Sequence, residues 1–248
     1  MKKTLIAFIL LLSTAICSQA AENGVYINGY DKSTKPFAYL ENGVVQGFDI
    51  ECLEWIAKDA GIKVRHEPII WSQGPDLIRS GKIDMIYSSM TITVPRLMKI
   101  RFSNPYWDAG QAAFAKNSSS ADFAQVTRGQ VNGIGAMRGS TGAEWVQHEV
   151  IIKNSLSPDL LHPYQNYEHV VNAVASGEVE VGIIDSPIVR LSIGSNPMKV
   201  LGVAETGEQY GVAMRKNDIK LHRIINTGLY RLMKSPDWER LKTKYNLN

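Results

Sequence analysis

Two short pieces, Gly81-Lys82-Ile83-Asp84-Met85 and Gly177-Glu178-Val179-Glu180-Val181, occupy the same place in two successive cycles of this chain. Each follows a helix-like stretch, Pro75–Ser80 in one case and Tyr167–Ser176 in the other. Each supplies a glycine that stops the helix and then runs into an apolar strand, Ile83–Tyr87 or Val179–Ile184. Strand-like and helix-like segments alternate around them. The first cycle holds strand Val25–Asn28, helix Phe48–Gly61 and strand Lys63–Glu67. It ends with strand Gln111–Lys116 and the polar turn Asn117-Ser118-Ser119-Ser120. The second adds strand Val131–Ala136 and helix Ala143–Ile152, and the tail Ile219–Tyr245 reads as an amphipathic helix and a shorter one starting near Pro236. This alternation predicts an α/β protein, and the matched pieces predict two similar lobes.

The beginning of the sequence predicts a compartment. Lys2 and Lys3 precede the apolar run Leu5–Leu12, and small residues lead to Ser18-Gln19-Ala20. That is the pattern of a cleavable export signal over residues 1–20, too short in its apolar part to span a bilayer as an anchor. Acylation at Cys17 is disfavoured, because Ile16 stands where such sites carry a small residue. Losing Lys2 and Lys3 would take the formal charge from +3 to +1. So even a balance gives no footprint for nucleic acid or an anionic membrane. Of the two cysteines only Cys52 would remain, with Leu53, Ile56 and Ala57 as apolar neighbours, and it reads as a small buried hydrophobe.

The stretch Ser80–Trp107, SGKIDMIYSSMTITVPRLMKIRFSNPYW, carries the chemistry. After the strand comes a hydroxyl-rich turn holding Ser88, Ser89, Thr91 and Thr93, then a Pro-initiated helical turn with Arg96. Hydroxyl and amide donors beside a guanidinium suit a planar carboxylate, since Arg offers a two-pronged donor fork. Cap chemistry alone accounts equally well for Thr93 and Pro95. Asp185, at the end of the apolar strand and before Ser186-Pro187, either caps the next helix or projects as a partner for an ammonium group. Gly133-Ile134-Gly135 with Gly139 resembles a dinucleotide fingerprint only superficially. Its third glycine comes one residue late, and no acidic residue follows a second strand at the required distance. The histidines, at 66, 148, 162, 169 and 222, show no metal-ligand spacing, and neither a nucleophile elbow nor a phosphate loop is present.

Lys82-Ile83-Asp84 through Thr91 and Arg96 to Phe102-Ser103-Asn104-Pro105-Tyr106 resembles the signature of the family 3 solute-binding proteins of amino-acid ABC importers. Gly47-Phe48-Asp49-Ile50 upstream and Asp185-Ser186-Pro187 downstream resemble that family's other two elements, in the same order and spacing. The resemblance covers essentially everything after residue 22. It implies a type II periplasmic-binding-protein fold of two α/β lobes joined by two crossing strands. We place the crossings near Asp108–Gln111 and Ala204–Tyr210, so that residues 21–108 with 207–248 form lobe 1 and 109–206 form lobe 2. Ligands of open α/β sheets lie beyond the carboxyl ends of the strands, here the cleft between lobes.

The resemblance further implies roles for single residues. Ser88, Ser89, Thr91 and Arg96 would hold a ligand carboxylate, and Asp185 its ammonium group. Arg138-Gly139-Ser140-Thr141-Gly142 resembles the family's carboxylate-binding loop with Thr141 at the matching position, and plain N-capping by Ser140 or Thr141 is compatible with that. Trp71 matches an aromatic that stacks on the ligand side chain. The family's second aromatic falls at Thr34, so half of the usual sandwich is missing unless Tyr30 takes its place. Asp31 and Arg138 match positions that touch the ligand side chain. An acceptor with a donor suits a carboxamide such as glutamine, whereas a lone acid suits a basic amino acid. The expected protein is a periplasmic monomer without cofactor that passes a free amino acid to an ABC permease. The alternatives are a sensory protein docking a chemoreceptor or kinase, and a dehydratase-like or lytic-transglycosylase-like enzyme with Glu144 as its acid.

Overall fold

The computed structural model describes residues 24–247. The expected export signal and Cys17 lie outside the described residues. The chain begins with β1 (Val25–Tyr30), the small strands β2 (Ser33–Thr34), β3 (Ala38–Glu41) and β4 (Val44–Gln46), α1 (Phe48–Ala60) and β5 (Lys63–Pro68). Next come α2 (Gly74–Ser80), β6 (Met85–Ile86), α3 (Val94–Leu97), β7 (Arg101–Phe102) and the long β8 (Trp107–Lys116). The second cycle contains α4 (Phe123–Thr127), β9 (Ile134–Met137), α5 (Thr141–Trp145), β10 (Leu161–Tyr164), α6 (Tyr167–Ser176), β11 (Val181–Asp185) and α7 (Ser186–Ile193). The chain closes with β12 (Met198–Tyr210), β13 (Ala213–Met214), α8 (Ile219–Met233) and α9 (Pro236–Lys244).

Two five-stranded sheets form the frame, in the orders β5-β1-β6-β13-β7 and β10-β9-β11-β8-β12. They share one pattern of directions. In each, the second strand runs parallel to its two neighbours, and the fourth runs antiparallel to both of its own. The matched sequence pieces sit at corresponding joints. Gly81 and Gly177 both close their helices in the left-handed region, at φ 77° and 84°, which favours glycine. The acids that follow then clasp a neighbouring strand. Asp84 donates its amide to the Ile27 carbonyl and takes the Ile27 amide on its carboxylate at 2.7 Å. Glu180 does the same with Asn132, at 2.9 Å for the amide-to-carboxylate bond. The internal likeness of the sequence is thus a likeness of hydrogen bonding.

Several boundaries differ from the sequence reading for identifiable reasons. The expected strand Ile83–Tyr87 pairs only at Met85–Ile86, because Tyr87 gives its amide to the Asn28 side chain at 2.8 Å. The strand expected at Val131–Ala136 starts at Ile134, since the Asn132 backbone is engaged by Glu180. The strand expected at Val179–Ile184 becomes Val181–Asp185, because the Val179 amide turns back to the Ala173 carbonyl. The expected helix Ala143–Ile152 starts at Thr141, where Ser140 caps it by accepting the Ala143 amide, and continues as a π-helical turn over Val146–Ile152. That wider turn buries Val146, Val150 and Ile151 together.

An aromatic cluster pins the two crossing strands at one end. Trp107, which opens β8, pairs with Tyr210, which ends β12. Phe37 packs edge-on to both, with ring centres 5.5 and 5.4 Å away, and Phe48 meets Trp107 and Trp238 likewise at 5.5 and 4.9 Å. Beyond this anchor the pairing of β12 with β8 slips between Ala204 and Glu208, opposite Ala109–Gln111. Gly110 gives its amide to the Ser186 hydroxyl there instead. Such a bulge redirects the side chain that follows it. Here that side chain is Glu208.

Candidate functional site

The hydroxyl-rich turn is set by groups that reach it from three sides. Asn28 accepts the Tyr87 amide, and the Ser88 hydroxyl takes the Asp31 amide at 3.1 Å. Asp49, fully buried, accepts the Ser89 amide at 2.6 Å and the Tyr106 hydroxyl at 2.8 Å. Ser89 is held there in the left-handed region, at φ 49°, where a non-glycine residue needs support. Burial pushes the Asp49 carboxyl up to about 8, with its two hydrogen bonds pulling the other way. The folded state therefore keeps a proton that an unfolded chain releases near pH 4, and stability should fall as pH rises from about 4 to 8. Asp49→Asn should flatten that part of a melting-temperature profile against pH. Asp49→Ala, which orphans two donors, should cost about 1–3 kcal/mol at neutral pH. A wild-type profile that rises from pH 4 to 8 in parallel with the Asn variant would contradict this assignment.

Arg96 leaves the short helix α3, whose start Thr93 caps by accepting the Arg96 amide. Its side chain is buried, at 8% exposure. The guanidinium donates to the Thr91 carbonyl at 2.8 Å and across the cleft to the Gly139 carbonyl at 2.9 Å. Trp71 stands 5.8 Å from it, ring centre to guanidinium carbon. Trp71 is itself buried at 5% exposure, packed with core neighbours and with the cation beside it. Burial lowers the Arg96 pKa, and the charges of Glu144, Asp185 and Glu208 act to raise it.

Asp185 holds the N-cap position of α7 without capping it. Its carboxylate instead accepts from Gln111 at 3.2 Å and the Tyr167 hydroxyl at 3.0 Å on one oxygen, and from the Tyr210 hydroxyl at 2.8 Å on the other. The register of β11 against β8 places Asp185 directly beside Gln111. Burial, and then the neighbouring Glu208 charge, push the Asp185 carboxyl up to about 6 despite these bonds. Gln111 is the junction of the site. Its amide nitrogen lies within hydrogen-bond reach of Thr141 Oγ1, Asp185 Oδ1 and both Glu208 oxygens, at 3.0–3.2 Å. An amide nitrogen carries only two hydrogens, so four acceptors compete for two donors.

Thr91 and Thr141 meet across the cleft with their hydroxyl oxygens 3.4 Å apart, and Thr91 also donates to Glu208 at 3.2 Å. Asp31 is buried, and one of its oxygens takes both the Ser33 amide and the Ser33 hydroxyl. Burial raises its pKa and the Ser33 bonds oppose this. Ser33 also accepts the Tyr167 amide at 3.3 Å, which ties the Asp31 turn to the helix bearing Tyr167. Arg138, in contrast, is exposed at the rim, and so is Glu144. Thr34, at the position of the missing aromatic, is buried and donates to the Ala38 carbonyl. Tyr30 packs with Ala38 and Ile50 and does not replace it.

Of the residues expected from sequence, Trp71, Thr91, Arg96, Thr141 and Asp185 fall in one connected network, with Ser88, Ser89 and Asp31 in the turns beside it. Arg138 is on the rim. Sequence reasoning missed Gln111, Tyr167, Glu208 and Tyr210. Gln111 did leave a signal, as the one amide inside the small apolar run Ala109–Ala115. Glu208 left none, because its aim depends on a slip in strand pairing.

This arrangement, two lobes of like topology with a buried guanidinium among hydroxyl groups at one end of a hydrogen-bonded network and a buried acid at the other, is that of a two-lobed solute-binding protein. The family of bacterial extracellular solute-binding proteins, family 3, matches residues 26–248, and the chain belongs to it. Among curated relatives, a probable histidine-binding protein of Neisseria gonorrhoeae is 27% identical, over 85% of this chain and 78% of its own. The ABC transporter glutamine-binding protein GlnH of Bacillus subtilis is 26% identical, over 90% of this chain and 82% of its own. An ancestral arginine-binding protein solved with arginine bound has 29% identity and a TM-score of 0.82, covering 90% of this chain and 98% of its own. These relatives are binding proteins. A further solved neighbour, at 27% identity and a TM-score of 0.80, is an ancestral amino-acid-binding protein described as a precursor of cyclohexadienyl dehydratase; it covers 90% of this chain and 96% of its own. No helix among the described residues is long and apolar enough to cross a membrane.

Proposed function

We propose that this protein binds one free polar L-amino acid in the cleft, without converting it, and presents it to an ABC permease at the outer face of the cytoplasmic membrane. The observation that carries this reading is the single hydrogen-bonded path from Arg96 through Thr91, Thr141 and Gln111 to Asp185. One end of the path offers a cation with hydroxyl donors, suited to a carboxylate. The other offers a buried carboxylate whose donors, two tyrosine hydroxyls and a shared amide, are all neutral, suited to an ammonium group. The amino acids named for its relatives, histidine, glutamine and arginine, support the same ligand class. The exported, periplasmic location rests on the sequence pattern of residues 1–20 and on the extracellular family.

Arg96 and Thr91 belong to the lobe we assign to residues 21–108 and 207–248, and Thr141 and Asp185 to that of 109–206. Neither set alone satisfies both ends of a zwitterion, so ligand should favour the closed arrangement by bridging them. Titration calorimetry with the twenty amino acids should find 1:1 binding of at least one, and small-angle scattering should show a smaller radius of gyration when that ligand is added. Binding of none, with turnover of a prephenate-like or peptidoglycan substrate, would replace this reading with an enzymatic one.

A further inference from the structure

We propose that Glu208 is a specificity-determining residue, which together with Asp185 makes the cleft select amino acids of net positive charge. The inference rests on the amino-acid-binding reading and goes beyond it to the ligand's charge class. Three observations support it. The bulge in β12 turns Glu208 into the cleft, where its carboxylate accepts from Thr91, Gln111 and Thr206 at 2.8–3.2 Å. Glu208 and Asp185 share the nitrogen of one buried amide that also reaches Thr141, so the two carboxylates face each other across a donor with one hydrogen at most for each. The cleft also holds an excess of acid. Asp185 and Glu208 stand against the guanidinium of Arg96, with Asp31 and Lys32 opposing each other in the turn beside them and Arg138 and Glu144 doing so among the exposed residues.

A zwitterion carries no net charge and leaves that excess unchanged. A ligand with a cationic side chain reduces it and adds N–H donors where acceptors are in surplus, whereas an acidic side chain enlarges it. Charges several ångströms apart in a partly buried site interact strongly enough to change relative affinities by an order of magnitude. Among cleft residues, Glu208 is suited to this role because it sits on a crossing strand and touches groups of both lobes at once.

The test uses the full mature protein and three probes, arginine, glutamine and glutamate, titrated at pH 7.5 with Glu208→Gln and Glu208→Asp variants. The wild type should bind arginine most tightly and glutamate least. Glu208→Gln, which keeps the shape and removes the charge, should reduce the arginine-over-glutamine preference by about tenfold and narrow the gap between glutamine and glutamate. Glu208→Asp keeps the charge and should keep the order. An equal loss for all three probes in Glu208→Gln would show a structural role only and overturn the inference, as would unchanged ratios. Loss of the preference in both variants alike would trace it to packing and overturn it too. A wild type that binds glutamine more tightly than arginine removes the inference and leaves the amino-acid reading standing. Binding of none of the twenty amino acids removes both.

Discussion

Arg96→Ala is expected to weaken amino-acid binding by about 2–5 kcal/mol, the loss that follows when one partner of a buried, hydrogen-bonded charge pair is removed. Nothing else in the network can take its place, since Thr91 and Thr141 supply only neutral hydroxyls there. The same substitution leaves the Thr91 and Gly139 carbonyls without their donor, so a fall in melting temperature should accompany it. Arg96→Lys should restore part of the binding, because an ammonium group cannot reproduce the fork or lie as a plane beside Trp71. Calorimetry on folded protein, with circular dichroism as the control for the fold, separates the two effects. Near-normal affinity in a folded Arg96→Ala protein would show that the carboxylate is held elsewhere.

Asp185→Asn should be nearly as costly, at about 2–4 kcal/mol of binding at neutral pH, since it removes the buried carboxylate that would face the ammonium group and leaves only Glu208, on the other side of Gln111, to offer it a charge. The position of its pKa, pushed up to about 6, gives this effect a pH signature. The ligand's ammonium favours the ionised carboxylate, so protonation competes with binding. Wild-type affinity should hold above pH 6 and fall by up to tenfold per unit as pH drops below it. Stability without ligand should move the other way. A carboxylate whose folded pKa is raised holds more protons folded than unfolded between about pH 4 and 6, so the protein gains stability as pH falls through that window. Affinity and melting temperature should therefore diverge on acidification in the wild type, and Asp185→Asn should remove this residue's share of both trends. A wild-type affinity that stays flat down to pH 5 would rule out Asp185 as the ammonium partner.

Much of this site is visible in the residue order because its members are local. Ser88, Ser89, Thr91 and Arg96 fall within one turn and the helix after it, where short-range chemistry sets the geometry. Asp185 stood out because an acid at the end of an apolar strand has few roles, and the structure removes one of them by leaving α7 uncapped at that side chain. The glycine-led pieces at 81 and 177 gave away the twofold plan for the same reason. What stayed hidden depends on pairing between distant strands. Gln111 meets Asp185 only because β8 lies antiparallel to β11 in one particular register. Tyr167 and Tyr210 approach the acid from a helix and a crossing strand remote from it in sequence. The π-helical turn at Val146–Ile152 answers to burial on the second sheet, which a helical period alone does not report.

The strand order of the first sheet constrains how the molecule can be put together. All of its strands but one come from residues 25–102, yet β13, the strand between β6 and β7, is reached only after the whole second sheet has been threaded. Helices α8 and α9 then return to pack on α1, with Trp55 donating to Asp237 at 2.8 Å over 182 positions of sequence. The second sheet, in contrast, is drawn from the unbroken stretch 107–210. A chain that becomes available from its N-terminus onward therefore has every strand of the second sheet before it can complete the first. The half carrying Arg96 is assembled around contacts of very long sequence separation, the kind that form slowly. No single cut can free that half intact, and β6, which leads into the turn of Ser88 and Ser89, gains its second neighbour only once β13 is in place.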